Sequence, residues 1–584
     1  MKILLTAINA KYIHSNLAVY DLRAYCREYT EQIELAEYTI NHNPEHILAD
    51  IFRRRPQVAA FSCYIWNIVM VETLIEEIRK VLPETELWLG GPEVSYRAEE
   101  LLRRHHCLKG IMAGEGESTL CQLMEYYVKH SRKLSEVQNL VYRDGEEIHR
   151  TPWGEMLALS DIPFPYENLE EFENRIIYYE SSRGCPFSCS YCLSSVEKKL
   201  RFRDTDMVKR ELQFFLDRKT AQVKFVDRTF NVWHEHAMAV WQYIYEHDNG
   251  ITNFHFEIAA DLLNEEELAL MKQMRPGLIQ LEIGVQSVNE RTLQEIRRTT
   301  HMDKLRQTVA AIREKRNIHV HLDLIAGLPY EDYDSFCHSF NEVYAMEPDQ
   351  LQLGFLKVLS GTDMEKRADE YGLVFRDMPP YEVLFTNWIS FEELLKLKGV
   401  EEMVEVYYNS AQFTASMKLL LRCFETPFAM YAALADYYEQ RGLTDRKQNR
   451  VDRYEILLEF AKAYLRQEQT ERFRECLVYD LYLRDNMKNR PEFAPSAEPY
   501  KDEIKEFYRK EAGERRYLPE YEGCDGKQLA RMTHVEHFSR HPLTGEEQEL
   551  FLLFDYKNRN PLSFEAKVTE LDIGKERHRN GELR

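Results

Sequence analysis

Twice along its length this chain alternates short apolar strand-like runs with amphipathic helical stretches, and that rhythm restricts it to architectures built on parallel sheets. The first series fills residues 1–130. Its predicted strands are Ile3–Ile8, Ile33–Ile40, Val58–Tyr64, Glu86–Leu89 and Gly110–Ala113, separated by helical patterns such as Leu17–Thr30, Asn67–Val81 and Ser118–His130. This order predicts a Rossmann-like doubly wound sheet, whose ligands sit beyond the carboxyl ends of the strands. The informative loops are therefore Asn9–Asn16, Cys63–Asn67, Gly90–Ser95 and Gly114–Gly116. The second series runs from 176 to 365, with strands predicted at Ile176–Ser181, Val223–Val226, Phe254–Ala259, Leu278–Gly284, His319–Ile325 and Gln350–Lys357. Six strands alternating with helices fit a partial (β/α)6 barrel, with its chemistry at the same strand ends.

A connector at 131–175 joins the two series and carries the hairpin signal Asp144-Gly145. Residues 366–584 change in texture to a mainly helical C-terminal domain, with helical patterns at Tyr381–Gly399, Val400–Tyr408, Ala411–Arg441, Arg450–Leu465 and Gln467–Asp485. The charged tail Lys567–Arg584 is expected to fray. The fold class is α/β.

Composition narrows the function. With 44% apolar and 12% aromatic residues, the chain can fill several cores. No run approaches the length of a membrane span, and MKILLTAINAKYIHSN reads as a first strand, not a signal peptide, so a cytoplasmic protein is expected. The balance of 98 acidic against 76 basic residues, a formal charge of −22, disfavours indiscriminate binding to nucleic-acid phosphates. A local basic run at Lys198, Lys199, Arg201 and Arg203 reads either as a groove or as a solvated helix or loop end. Eleven cysteines, an odd number in a large chain, argue against a disulfide framework. Only Cys185, Cys189 and Cys192 are clustered.

These three lie in Ser182-Arg183-Gly184-Cys185-Pro186-Phe187-Ser188-Cys189-Ser190-Tyr191-Cys192. Three thiolates so spaced can wrap one face of a cubane cluster. Structural zinc and electron-transfer clusters ordinarily take four protein ligands, and no fourth cysteine is near in sequence. One metal corner is thus left open, as a catalytic centre requires; the competing reading is a zinc knuckle completed by a distant Cys or His. The CxxxCxxC string, with an aromatic residue before the last cysteine and placed just after the first strand of a βα series, resembles the signature of the radical S-adenosylmethionine superfamily. That resemblance implies a [4Fe–4S] cluster whose open iron is chelated by S-adenosylmethionine, reductive cleavage to a 5′-deoxyadenosyl radical, and an external one-electron reductant such as flavodoxin or ferredoxin. It also implies an anaerobic host.

The same resemblance points to further barrel residues. Asp227 and Arg228, after the second strand, stand where S-adenosylmethionine or substrate would be held; the alternative is a strand-to-helix turn capped by Thr229 or Asn231. Glu257, Glu282 and Gln286 stand on or after the third and fourth strands, where a carboxylate needs a partner such as the ribose or ammonium of the cosubstrate. Gly327, in Ala326-Gly327-Leu328-Pro329, matches the family's adenine-contacting turn.

The N-terminal domain resembles the cobalamin-binding domain of class B radical S-adenosylmethionine methylases. The matching strings contain Ser62, Tyr64, Trp66 and Asn67, then Gly90 and Gly91, then Gly114 and Gly116. The resemblance places Trp66 and Asn67 under the lower corrin face. The Asp-x-His-x-x-Gly motif that supplies a cobalt-ligating histidine elsewhere is absent, so the alternative is a degenerate domain without corrin. The C-terminal region resembles an uncharacterised domain, of the DUF4080 type, attached to such proteins. Tyr407, Tyr408 and Asn409 in it face either substrate or core.

Methyl transfer to an unactivated carbon is the expected reaction. Two other readings remain: a radical enzyme without methyl transfer, including a methylthiotransferase-like RNA modifier, or a non-enzymatic cobalamin or redox sensor. The methylthiotransferase-like version would need a second cluster, for which Cys26, Cys63, Cys107 and Cys121 are too widely spaced; a rearrangement would not. The substrate is not legible.

Overall fold

The computed structural model describes residues 1–444 and 446–573, and the chain divides into two compact units. One comprises Met1–Phe336 and Gly354–Phe391; the other comprises Cys337–Leu353 and the chain from Glu392 onward.

The first unit opens with strands β1 (Ile3–Asn9), β2 (Ile33–Thr39), β3 (Val58–Ser62), β4 (Glu86–Gly90), β5 (Leu108–Met112), β6 (Leu140–Asp144) and β7 (Glu147–Arg150), in the sheet order β2-β1-β3-β4-β5-β6-β7. The first five are parallel, while β6 and β7 add the hairpin expected in the connector as an antiparallel edge. Every residue of β1 is buried, which is why it reads as an unbroken apolar run rather than an alternating one. Leu4, Ile8, Ala59, Phe61, Leu87 and Leu89 form the sheet's share of a core completed by flanking helices. The strand order reverses between β1 and β3. A crevice at their carboxyl ends is the ligand position this topology provides.

Strands β8 (Ile177–Tyr179), β9 (Gln222–Phe225), β10 (Asn253–Ile258), β11 (Ile279–Gln286), β12 (His319–Ala326) and β13 (Gln350–Phe355) form a second sheet in sequential order. The pairs from β8 to β12 are all parallel. Alternation sorts the two faces. Phe225, Phe256, Leu281, Ile283, Val320, Leu322 and Leu324 are buried on one face, where Phe256 packs 4.4 Å from Phe230 between ring centres. Lys224, His255, Glu257, Glu282, His321 and Asp323 occupy the other, concave face. A register shift between Gly284 and Gln286 ends β11, and Gln286 takes a left-handed φ of 72°.

The second unit carries helices Thr414–Leu421, Pro427–Gln440, Arg450–Ala461, Gln467–Arg484 and Lys501–Glu514. It is not helical to its end: β14 (Thr533–Phe538), β15 (Leu550–Asp555) and β16 (Lys567–Leu571) form an antiparallel sheet. The tail expected to fray is thus a paired strand over Lys567–Leu571, held on the fully buried Leu-Phe-Leu-Leu-Phe-Asp run of β15. The rest of that tail, from residue 574, lies outside the described residues. Within the Tyr381–Gly399 stretch read as helical, Val383–Phe385 is a strand paired with Val374–Phe375. Among the described residues no helix is long and apolar enough to cross a membrane.

Asp480 organises the second unit's helices. It is 1% exposed and accepts hydrogen bonds from Ala415 N and Ser416 N, both at 2.8 Å, and from Ser416 Oγ at 2.6 Å, capping the helix Thr414–Leu421 from a neighbouring helix. Burial outweighs these donors and pushes its carboxyl up to about 6 from 3.8. A raised folded-state value means stability that is full below pH 4 and is lost as pH rises through 6. Relative to Asp480→Asn, which does not titrate, the wild type should therefore lose about 3 kcal/mol between pH 4 and pH 7, measured by urea unfolding of the full chain. A flat difference curve would refute this assignment.

Candidate active site

The three clustered cysteines sit in one loop after β8 that the backbone pins at several points. Gly184 opens it with φ 96°, and a Cβ there would lie 2.5 Å from the Lys199 carbonyl, so only glycine fits. Ser190 N donates to Ile296 O at 2.9 Å, Met364 N donates to Ser190 O at 2.9 Å, and Cys192 N donates to Cys189 O at 3.2 Å. Cys185 and Cys189 are buried and Cys192 is half-buried; all three are free thiols. Burial raises the Cys189 thiol; the adjacent Arg298 cation opposes this, and the neighbouring Cys192 and Cys185 sulfurs reinforce it. Arg298 Nη1 lies 3.9 Å from Cys189 Sγ, and Thr229 Oγ1 lies 3.9 Å from Cys185 Sγ. Three free thiols on one pinned loop, two of them edged by polar side chains, are a donor set that fits a cluster with one exposed corner.

Loops from the first sheet reach this loop through buried charge. Arg183, two residues before Cys185, binds Glu117 and Glu180, each at 2.7 Å. Arg201 binds Glu115 and, at 2.6 Å, Glu197. Arg203 clamps Glu211 at 2.8 and 3.0 Å and donates to the Leu159 and Ile162 carbonyls at 2.8 and 2.7 Å. Arg201 and Arg203 are therefore neither a nucleic-acid groove nor a solvated loop end; they are internal ties.

At the reversal between β1 and β3, Asn67 is fully buried. Its Nδ2 donates to Ile8 O at 3.0 Å and Ser62 O at 2.8 Å, and its Oδ1 accepts from Tyr64 N at 2.8 Å, so it staples the loop and presents no free group to a ligand. Trp66 donates to Ile8 O at 3.1 Å, stacks on Tyr64 with ring centres 4.4 Å apart, and remains 43% exposed. Trp66, the exposed ring of this stacked pair, suits the face of a large planar ring, with half-buried Tyr64 backing it. The glycines serve the protein's own packing: a Cβ at Gly91, where φ is 113°, would lie 2.6 Å from the Cys63 carbonyl. The corresponding neighbours are Met112 for Gly90, Trp153 for Gly114, Leu22 for Gly116 and Val383 for Gly327.

The barrel mouth separates the predicted residues further. Asp227 is fully buried and accepts from Ser181 N at 3.0 Å and from the hydroxyls of Ser181 and Ser182 at 2.6 Å each. It braces the strand leading to the cluster loop, and its carboxylate is spent there rather than on a cosubstrate. Arg228 beside it is exposed. Burial pushes Glu257 up to about 7, opposed by Arg228 and Lys224; burial likewise raises Tyr64, and Arg228 opposes that shift too. Glu257 makes no hydrogen bond to protein among the described residues, and Gln286 Oε1 is buried without a partner. Both fit the polar edges of S-adenosylmethionine. Glu282 is held anionic at about 2: burial is outweighed by the His255 and Lys224 groups beside it, at 3.0 and 3.1 Å.

The structure brings Cys185, Cys189, Cys192, Arg228, Glu257, Glu282 and Gln286 to the concave side, with Tyr64 and Trp66 on the loop after β3. Sequence reasoning missed Arg183, Arg298, Lys224, His255, His321 and Asp323. A signal existed for the last two: His319, His321 and Asp323 alternate with Val320, Leu322 and Leu324, the period of a strand with one polar face. In the second unit, Tyr407 bonds Tyr438 at 2.6 Å, Tyr408 bonds Pro348 O, and Asn409 bonds Leu351 N and O, each at 2.9 Å. All three are packing residues.

Residues 3–124 match the model of the B12 binding domain, residues 179–343 that of the radical SAM superfamily, and residues 369–554 that of a protein family of unknown function, DUF4080. The chain is 25% identical over 346 residues to the cobalamin-dependent radical SAM methyltransferase TokK of Streptomyces tokunonensis, covering 54% of this chain and 50% of that one. It is 22% identical over 348 residues to the anaerobic magnesium-protoporphyrin IX monomethyl ester cyclase of Synechocystis, covering 54% and 68%. The chain thus spans about half the length of the methyltransferase it matches. Among solved structures, the cobalamin-dependent S-adenosylmethionine radical enzyme OxsB with aqua-cobalamin and S-adenosylmethionine bound superposes with a TM-score of 0.55 at 15% identity, over 82% of this chain and 78% of that one. This is a likeness of fold.

Proposed function

We infer that this chain, a radical SAM enzyme with a B12 binding domain at its N-terminus and a DUF4080 region at its C-terminus, uses one cavity to bring cobalamin and S-adenosylmethionine together for methyl transfer to an unactivated carbon. The observation that carries this reading is Arg183, two residues before Cys185, which binds Glu117 beyond the carboxyl end of β5 and Glu180 beyond that of β8, each at 2.7 Å. This tie draws the carboxyl ends of the two sheets together, which supports a shared site of the kind that reaction between two bound cofactors demands.

Cys185, Cys189 and Cys192 would hold the cluster, which when bound supplies the electron that opens the sulfonium of S-adenosylmethionine, while cobalamin supplies a methyl group. Arg298 places a half-buried cation 3.9 Å from Cys189, favouring thiolate charge. Gln286 offers its unpaired oxygen to a donor on the cosubstrate, and Glu257 offers a carboxylate to its ammonium group. Tyr64 and Trp66 offer an aromatic face to the corrin. An external one-electron donor of the flavodoxin or ferredoxin class completes the system.

The test is anaerobic reconstitution with iron and sulfide, followed by titration with methylcobalamin and turnover with S-adenosylmethionine and a low-potential reductant. One methylcobalamin bound per chain, with methyl transfer from S-adenosylmethionine to the reduced corrin, is expected. Cleavage of S-adenosylmethionine by protein that binds no methylcobalamin would overturn the reading. The match to the cyclase covers more of that relative than the match to TokK does of its own. Corrin binding without corrin methylation would accordingly favour radical chemistry without methyl transfer.

A further inference from the structure

We propose that Glu282, His321 and Asp323, on the concave face of the barrel, form a mononuclear site for a first-row divalent cation of the manganese(II) or iron(II) class, separate from the cysteine cluster. One donor atom from each residue lies within 4.8 Å of the others. An ion about 2.1 Å from each donor sets neighbouring donors about 3.0–3.4 Å apart, so side-chain rotation of up to about 1.8 Å is needed to complete the shell.

The orientation of these groups carries the inference further than their proximity. His321 is 6% exposed, and its Nε2 stands 3.0 Å from Asp323 Oδ1, yet neither atom completes a hydrogen bond. The separation suits a bond and the direction does not, as happens when lone pairs converge on a common point. These two buried atoms have the separation of an ion pair but no hydrogen bond, so charge alone holds them, and a cation between them would satisfy both lone pairs. The register supports the same set: Glu282 pairs across the sheet with His321 and Gly284 with Asp323, placing three donors on adjacent rungs of two strands. His255, 7% exposed, stands on the neighbouring strand with its Nε2 3.0 Å from Glu282 as an ion pair without a hydrogen bond, and could turn to serve as a fourth ligand.

The chemistry of the donor set chooses the ion. Imidazole and carboxylate without thiolate excludes copper(I) and an iron–sulfur centre, and two carboxylates to one imidazole lean the set from zinc(II) toward the harder manganese(II) and iron(II). Lys224, 3.1 Å from Glu282, supplies the positive charge that balances this carboxylate when no dication is present.

The experiment uses full-length protein carrying its iron–sulfur cluster in the diamagnetic oxidised state, without S-adenosylmethionine or cobalamin, so its result does not depend on methyl transfer. Manganese(II) is titrated in and followed by electron paramagnetic resonance. The expected result is one ion bound per chain with nitrogen coupling from imidazole, and affinity at least tenfold weaker in both His321→Gln and Asp323→Asn, each retaining its cluster iron. Absence of binding, binding without nitrogen coupling, or unchanged affinity in the variants would overturn the proposal. The nitrogen coupling is read on the wild type, so the outcome is decided even if a variant fails to fold.

Discussion

Cys189→Ala should fall from about four irons per chain to near none after anaerobic reconstitution, and reductive cleavage of S-adenosylmethionine should drop by at least about 10^3-fold, roughly 4 kcal/mol of lost rate enhancement. The reason lies in the loop. Cys185, Cys189 and Cys192 are the three thiols that a short backbone segment pins together, and two corners of a cubane cannot be held by a loop built for three. Cys107→Ala and Cys423→Ala serve as controls, because these cysteines lie outside that loop and should leave iron content unchanged. Retention of a full cluster and of cleavage in Cys189→Ala would remove the basis for assigning this loop.

Arg203→Ala should destabilise the first unit by about 3–5 kcal/mol, the range for leaving one partner of a buried ion pair uncompensated. Arg203 is 4% exposed and Glu211 is 7% exposed. The substitution strands the Glu211 carboxylate and leaves the Leu159 and Ile162 carbonyls without their donors. Tyr179, at the end of β8, loses the fixed geometry of its own 2.6 Å bond to Glu211. Hydrogen exchange should report this as a loss of protection of about 10^2-fold or more at β8 and β9 amides that open with the unit. Protection within a few-fold of wild type would show that the ion pair contributes little. Arg203→Lys should recover part of the loss only, since an ammonium cannot reproduce the four-contact fork.

Both strand–helix series were legible in the sequence because parallel strands buried on both faces appear as apolar runs, and the helices between them keep their own period. The cysteine loop was legible for a different reason: its spacing is chemical and local. The ties between elements were not. Arg201 and Arg203 look like surface charge in a sequence, and their burial depends on Glu115 and Glu211, which only folding brings near. Asp227 and Asn67 were read as ligand contacts because polar residues at strand ends ordinarily are. In the fold, each satisfies backbone groups of an adjacent segment instead. The glycines show the same limit: their sequence positions mark close approach, but whether the approaching surface is a ligand or a neighbouring carbonyl is decided by tertiary packing. The last sheet escaped notice because β14 and β16 alternate only weakly, and β15, buried throughout, has the apolar density of a helix core.

Arg183 is shared between Glu117, from the loops of the first sheet, and Glu180, on the strand that feeds the cysteine loop. Swinging the two sheets apart like a clamshell would strip this guanidinium of one anion and strand Glu117 in the interior. The fold is thereby geared against wide hinge opening: parting the two sheets costs a desolvated charge pair, so entry to the space between them favours small local movements over a swing of the whole frame.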